Sequence, residues 1–144
     1  YGEGPLLSEY KSLCQQLGIT EAVKFPGYAT NVMEAIRKEG IFVLSSRYEG
    51  IPNSLIEAMT MKLPVVTTDC TPGGAAFLTK NGELGILVPI DDVEAIADAI
   101  NNLIENEDLY ATLTEKSSSV LDDLQPSKIS RIWIDSFNII INSK

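Results

Sequence analysis

An alternation of two kinds of stretch most constrains this chain. Apolar runs with no alternating polar face, Ile41-Phe42-Val43-Leu44 and Leu63-Pro64-Val65-Val66-Thr67-Thr68, stand among segments of helical spacing. Continuous apolar runs of this length suit strands buried on both faces, as in parallel sheets, and the segments between them suit the crossover helices such sheets need. No internal repeat or low-complexity linker breaks the pattern. It predicts an α/β fold, a doubly wound parallel sheet with helices on both faces. In sheets of this kind ligands bind beyond the carboxyl ends of the strands.

The run at Ile41–Leu44 leads through Ser45-Ser46 into Arg47-Tyr48-Glu49-Gly50-Ile51-Pro52-Asn53-Ser54-Leu55-Ile56-Glu57-Ala58-Met59. Asn53 or Ser54 is a plausible N-cap for a short helix, Pro52 suits its entry, and Gly50 permits a tight loop with close backbone approach. Glu49 is then expected on a loop at the end of a strand, with Glu57 about one turn into the helix. Between them lie the N–H groups of a helix N-terminus, which stabilise a phosphate through hydrogen bonds and the helix dipole. Two carboxylates beside an anion site suit a ligand whose phosphates adjoin hydroxyl-rich sugars, that is, a nucleotide-sugar. An isolated pair of glutamates at this spacing reads first as solvated loop and helix residues.

Elsewhere the expectations are structural. Leu6, Leu7, Tyr10, Leu13, Cys14 and Leu17 have helical spacing, predicting a helix over 5–17 ended by Gly18. Val23-Lys24-Phe25 reads as a short strand followed by a turn at Pro26-Gly27-Tyr28. A second helix is expected from Asn31 to Lys38, with Val32, Met33 and Ile36 inward, closed by Gly40. Asp69 to Phe77 reads as a loop entering a short helix. Asp91 or Asp92 caps the next helix, whose apolar face is expected to carry Val93, Ile96, Ala97, Ile100 and Ile104, with Glu94 and Asp98 in solvent. A helix over 107–122 would present Ser117, Ser118 and Ser119 on a polar face. Ser127 would cap a last helix with Ile129, Ile132, Trp133, Phe137, Ile140 and Ile141 on one broad face, packed on this domain or partly exposed. Gly2 and Gly4 read either as a loop approaching a ligand or as a plain turn; Tyr28 reads either as a base contact or as a half-buried aromatic.

Composition removes several function classes. The net charge of −9 argues against a nucleic-acid partner and against direct contact of this domain with an anionic membrane. No transmembrane run and no signal-peptide pattern is present. Cys14 and Cys70 make neither a disulfide framework nor a metal cluster, and suit reduced thiols in the cytoplasm. The absence of histidine excludes Ser-His and Cys-His nucleophile pairs within the chain.

The string Glu49 to Met59, continued by Lys62-Leu63-Pro64-Val65-Val66-Thr67-Thr68, resembles the E-x(7)-E signature of the retaining GT-B glycosyltransferases. It is most similar to glycosyltransferase family 4, written roughly E-G-x-P-x-x-x-x-E-A-M-x-x-x-x-P-V-V. The resemblance implies the Rossmann-like C-terminal half of a GT-B fold, a nucleotide-sugar-binding domain over 1–144. It also implies that the chain is a piece lacking its first strand segment and the N-terminal acceptor domain, which would be its partner in the same protein. By the same resemblance Glu57 binds ribose hydroxyls, and Glu49, the candidate catalytic residue, touches the donor sugar. The amides of Gly50, Ile51, Pro52 and Asn53 (Pro52 lending backbone shape only) face the sugar and diphosphate, while Ser54 and Leu55 line the phosphate and nucleoside ends. Gly2 and Gly4, Gly27 and Tyr28, and Gly74 supply further donor-binding loops, and Arg47 is either a phosphate contact or a salt-bridged surface residue. Ala75-Ala76 stands where the family more often has Pro-Arg or Val-Glu. The implied donor is a UDP- or GDP-sugar, a substrate, with no cofactor and no metal, and the acceptor a polysaccharide or glycoconjugate. With the acceptor domain absent, the chain alone is expected to turn over little or nothing. The implied location is cytoplasmic, with the full-length protein peripheral at the inner membrane face in some cases. Two alternatives stay open: a sugar-nucleotide epimerase of GT-B architecture, and a non-catalytic nucleotide-binding module.

Overall fold

The computed structural model describes residues 1–36 and 40–142, with the backbone alone at Val32 and Met33. The chain divides into two compact units, Tyr1–Arg37 and Lys38–Lys144.

The first unit holds α1 (Leu7–Gln16) and α2 (Val32–Ile36). Gly18, with φ of 68°, ends α1 as expected: its N–H donates to the Gln15 carbonyl at 3.1 Å and that of Ile19 to the Cys14 carbonyl at 2.9 Å. Of the predicted inward residues of α1 only Cys14 is buried. The strand expected at Val23-Lys24-Phe25 does not form. Three residues make few ladder bonds, Pro26 removes a donor, and no strand pairs with them among the described residues. The helix predicted to reach Lys38 is described only as far as Ile36, which is buried; Lys38, and the inward placement of Val32 and Met33, lie outside the described residues.

The second unit is built on a parallel sheet of β1 (Phe42–Leu44), β2 (Val65–Thr68) and β3 (Ile86–Val88) in that order. The register pairs Val43 with Val66 and Val66 with Ile86, so β2 is central. The crossovers carry α3 (Asn53–Thr60) and α4 (Gly74–Leu78), and the chain continues through α5 (Val93–Glu105), α6 (Glu107–Ser117), α7 (Val120–Asp123) and α8 (Pro126–Asn142). Neighbouring residues of a strand point to opposite faces. Val66 therefore joins Val88, Ala99, Leu103 and Leu113 in a core under α5 and α6, while α3 packs on β1, β2, α4 and α7 through its buried Leu55, Ala58 and Met59. Helices thus flank the sheet on both faces, as predicted.

β2 is fully buried, matching the reading of its apolar run. β1 differs: Val43 is 40% exposed, because β1 is an edge strand of this sheet and α5, which covers the face that Val43 shares with Val66, packs on β2 and β3. The buried face of α5 also differs. Ala99 and Leu103 are the inward residues, flanked by Ile96 and Ile100, whereas Val93, Ala97 and Ile104 are exposed. The stripe follows i, i+3, i+4, i+7 from Ile96, with a small residue where helix and sheet approach closely. Asp92, not Asp91, caps α5, its carboxylate accepting from the Ala95 N–H at 2.9 Å.

The single helix expected over 107–122 is two, broken at Ser118–Ser119. Ser117, placed on a polar face by the sequence, is fully buried and directs its hydroxyl toward the carbonyls of Thr114 (3.3 Å) and Met59 (3.4 Å), which ties α6 to α3. Serines compete in this way with helical backbone bonds and weaken a helix. α8 begins at Pro126, so Ser127 lies inside the helix and is not its cap. Its Ile132, Trp133, Phe137, Ile140 and Ile141 are all exposed, and the Trp133 and Phe137 rings stand 5.7 Å apart.

Candidate functional site

The carboxyl ends of β1 and β2 bring two loops together. The first, 45–52, carries Glu49 and enters α3; the second, 69–73, enters α4. Tyr48 and Thr71 form an isolated parallel bridge, and the Glu49 N–H donates to the Thr71 carbonyl at 2.9 Å. The Thr71–Pro72 peptide is cis. Gly74 then sits against the first loop so closely that a Cβ there would lie 1.5 Å from the Gly50 carbonyl oxygen and 3.2 Å from the Ile51 Cα. Glycine is obligatory at Gly74. At Gly50, where the close approach was placed from sequence, a Cβ would meet nothing within 4 Å.

Within the first loop the Glu49 carboxylate is half-buried and accepts from the Ser46 hydroxyl at 2.9 Å. Ser46 is in turn held by the Thr68 hydroxyl, which donates to the Ser46 carbonyl. Arg47 projects into solvent and pairs with Asp91 at 2.6 Å, linking the segment after β1 to the one after β3. That hydrogen bond, followed by the charge of Asp91, raises the guanidinium pKa; an arginine is a permanent cation with or without such a partner.

α3 starts differently from the sequence reading. Pro52 occupies the N-cap and no side chain caps the helix, so neither Asn53 nor Ser54 serves as cap. Both are exposed at the first two helical positions, where backbone N–H groups have no intrahelical acceptor and can meet an anion. The Leu55 N–H already donates to the Pro52 carbonyl at 3.1 Å, and the Leu55 side chain is fully buried in the core. Glu57 follows one turn into α3, half-buried. Ile51 and Tyr48 are exposed beside this region.

In the first unit the Gly2 N–H donates to the Gly27 carbonyl at 2.7 Å, and both glycines have positive φ. Gly4 has neither a positive φ nor a close neighbour, and Tyr28 is 75% exposed. A cleft of about 390 Å³ runs beside them, lined by Tyr1, Gly2, Gly4, Leu6, Tyr10 and Phe25 among others. Among the described residues no cluster of His, Cys, Asp or Glu side chains could hold a metal ion, and no helix is long and apolar enough to cross a membrane.

Three residues of this geometry were not singled out from sequence: Ser46, Thr68 and Thr71. A Ser three positions before Glu49 is a local signal that could have been read. Thr68 and Thr71 come from another strand and its loop, and no spacing announces them.

The family model described as glycosyl transferases group 1 matches residues 1–120. An exopolysaccharide phosphotransferase of Streptomyces coelicolor is 30% identical over 145 aligned residues, covering 100% of this chain and 15% of that protein. The poly(ribitol-phosphate) alpha-N-acetylglucosaminyltransferase of Staphylococcus aureus is 29% identical, over 96% of this chain and 28% of that protein. A variant of S. aureus TarM, solved in complex with fondaparinux, alpha-GlcNAc-glycerol and UDP, superposes with a TM-score of 0.81 at 28% identity, again over 96% of this chain and 28% of that one. The chain therefore spans less than a third of the length of each of these proteins.

Proposed function

The chain belongs to the group 1 glycosyl transferases, and on that premise we propose that it is the nucleotide-sugar-binding domain of a retaining, metal-independent enzyme. The enzyme moves a hexose-type sugar from a UDP- or GDP-sugar to a polysaccharide or glycoconjugate acceptor. The observation that carries the reading is the meeting of the Glu49 loop with the Gly74 loop at the carboxyl ends of β1 and β2, beside the start of α3. That edge offers a carboxylate, N–H donors at a helix start, and a second carboxylate one turn on. A diphosphate meets the first amides of α3, ribose hydroxyls donate to Glu57, and sugar hydroxyls donate to Glu49. Departure of the nucleoside diphosphate is then assisted by fixed backbone dipoles in place of a metal ion. The departing phosphate deprotonates the acceptor on the same face of the sugar, which retains the anomeric configuration.

The acceptor side of the reaction belongs to a partner domain of the same protein, and the enzyme works in the cytoplasm. UDP in the complex of the S. aureus relative favours a uridine donor. The test is calorimetric titration of the protein with UDP, GDP and ADP, repeated with Glu57→Ala. Binding of UDP or GDP that weakens at least tenfold in the variant supports the assignment; binding untouched by the substitution removes Glu57 from the site.

A further inference from the structure

Glu49 is held from several sides, and its side-chain support comes from outside the helix that follows it. Its Oε1 accepts from the Ser46 hydroxyl at 2.9 Å, and among the described residues its Oε2 has no hydrogen-bond partner. The peptide that carries Ser46 is itself fixed: the Thr68 hydroxyl donates to the Ser46 carbonyl, with the Leu44 carbonyl a longer 3.4 Å away. Thr68 is the last residue of the central strand and only 1% exposed. A buried hydroxyl on the sheet thus fixes a peptide of the neighbouring loop, and that loop's hydroxyl fixes one oxygen of the carboxylate.

We infer that Ser46 and Thr68 are positioning residues for Glu49, holding its carboxylate in one orientation toward the hydroxyls of a nucleotide-linked sugar. The inference rests on the reading of Glu49 as the group that touches the donor sugar. A glutamate on a loop has three side-chain torsions to order when ligand arrives. The bond from Ser46 orders them in advance and leaves Oε2 to accept from the sugar, so less of the binding free energy is spent on ordering. A nucleoside diphosphate has no sugar hydroxyl at that place and does not call on Glu49. The support from Ser46 and Thr68 therefore acts on the sugar-bearing ligand alone.

The experiment compares UDP with UDP-glucose and UDP-N-acetylglucosamine, and GDP with GDP-mannose, by titration into the full-length protein and four variants. These are Thr68→Val, which keeps the shape without the hydroxyl, Thr68→Ser, which keeps the hydroxyl, Ser46→Ala, and Glu49→Gln as reference. The expected result is a preference for the nucleotide-sugar over the bare diphosphate that falls roughly threefold to tenfold in Thr68→Val and Ser46→Ala. Diphosphate affinity stays level in both, and Thr68→Ser keeps the original preference. An unchanged preference in Thr68→Val and Ser46→Ala, alongside a changed one in Glu49→Gln, overturns the inference and leaves the role of Glu49 standing. Equal weakening of diphosphate and nucleotide-sugar also overturns it, since that marks general loss of structure. No binding at all, or a preference indifferent to Glu49→Gln, removes the reading of Glu49 and the inference with it. If Thr68→Val loses its cooperative thermal transition, Ser46→Ala on the loop decides alone.

Discussion

Gly74 and Gly50 touch through backbone: a Cβ on Gly74 would stand 1.5 Å from the Gly50 carbonyl oxygen. The carbonyl belongs to the loop that carries Glu49, whose own N–H donates to the Thr71 carbonyl of the facing loop. Gly74→Ala must therefore push two loops apart. Overpacking of this kind costs about 1–3 kcal/mol and more where backbone must shift. The expected outcome is a lowered melting temperature with loss of nucleotide binding beyond what the stability change explains. Gly50→Ala, which meets nothing, is expected to be mild, and an equal effect from both substitutions would refute the contact as the cause.

Side-chain truncation should weaken the start of α5, which has a side-chain cap, and leave the start of α3, which has none, nearly unchanged. Asp92→Ala deletes a carboxylate that accepts from the Ala95 N–H at 2.9 Å, and is expected to destabilise by about 1 kcal/mol. Asn53→Ala and Ser54→Ala delete no capping bond, and should stay within about 0.5 kcal/mol of the parent protein. Urea unfolding of the three variants checks the contrast.

Leu55 is a core residue inside the candidate motif, with no exposed side-chain surface. Leu55→Ala is expected to cost about 2–5 kcal/mol through lost transfer free energy and the cavity left behind. Leu55→Met, nearly the same volume, should cost less than about 1.5 kcal/mol and keep nucleotide affinity. Failure of Leu55→Met to bind while folded would show that the side chain itself meets the ligand.

Asp123 connects two lysines, at 2.8 Å from Lys80 and 3.6 Å from Lys128. The hydrogen bond from Lys80, then its charge, holds the Asp123 carboxyl below its ordinary value of 3.8. A carboxylate with a lowered folded-state pKa adds stability that is complete above the unfolded value and is lost as pH falls through the folded one. The contribution of Asp123 is thus full at neutral pH and fades below about pH 3.8, the ordinary value. Asp123→Asn should lower stability at pH 7 but narrow its difference from the parent protein below that value. Because the groups are exposed, 0.5 M salt should shrink the neutral-pH difference. Acid titration of the melting temperature at two salt concentrations measures both effects.

Local chemistry determined a good part of this protein. The unbroken apolar run at Val65-Val66 specified a buried strand, and alternation with helical stretches specified parallel order, because only a crossover joins parallel neighbours. Gly18 ended α1 through the positive φ that glycine adopts freely, and Asp92, one of two candidate aspartates, capped α5. The placement of Glu49 on a loop, with Glu57 one turn into a helix, followed from the apolar run before them and from Gly50 and Pro52 between them, although the cap expected at Asn53 or Ser54 does not form. Neighbours far along the chain decided the rest. Period is a property of one helix, so it could not say that Ala99 and Leu103 face the sheet while Val93 and Ile104 face solvent. Propensity is a property of one segment, so it could not say that Val23-Lys24-Phe25 would find no ladder. Above all, the glycine that the packing of the two loops requires is Gly74, whereas a Cβ on Gly50 would meet no other part of the protein. A glycine is required where another backbone arrives, and only the folded chain brings it there.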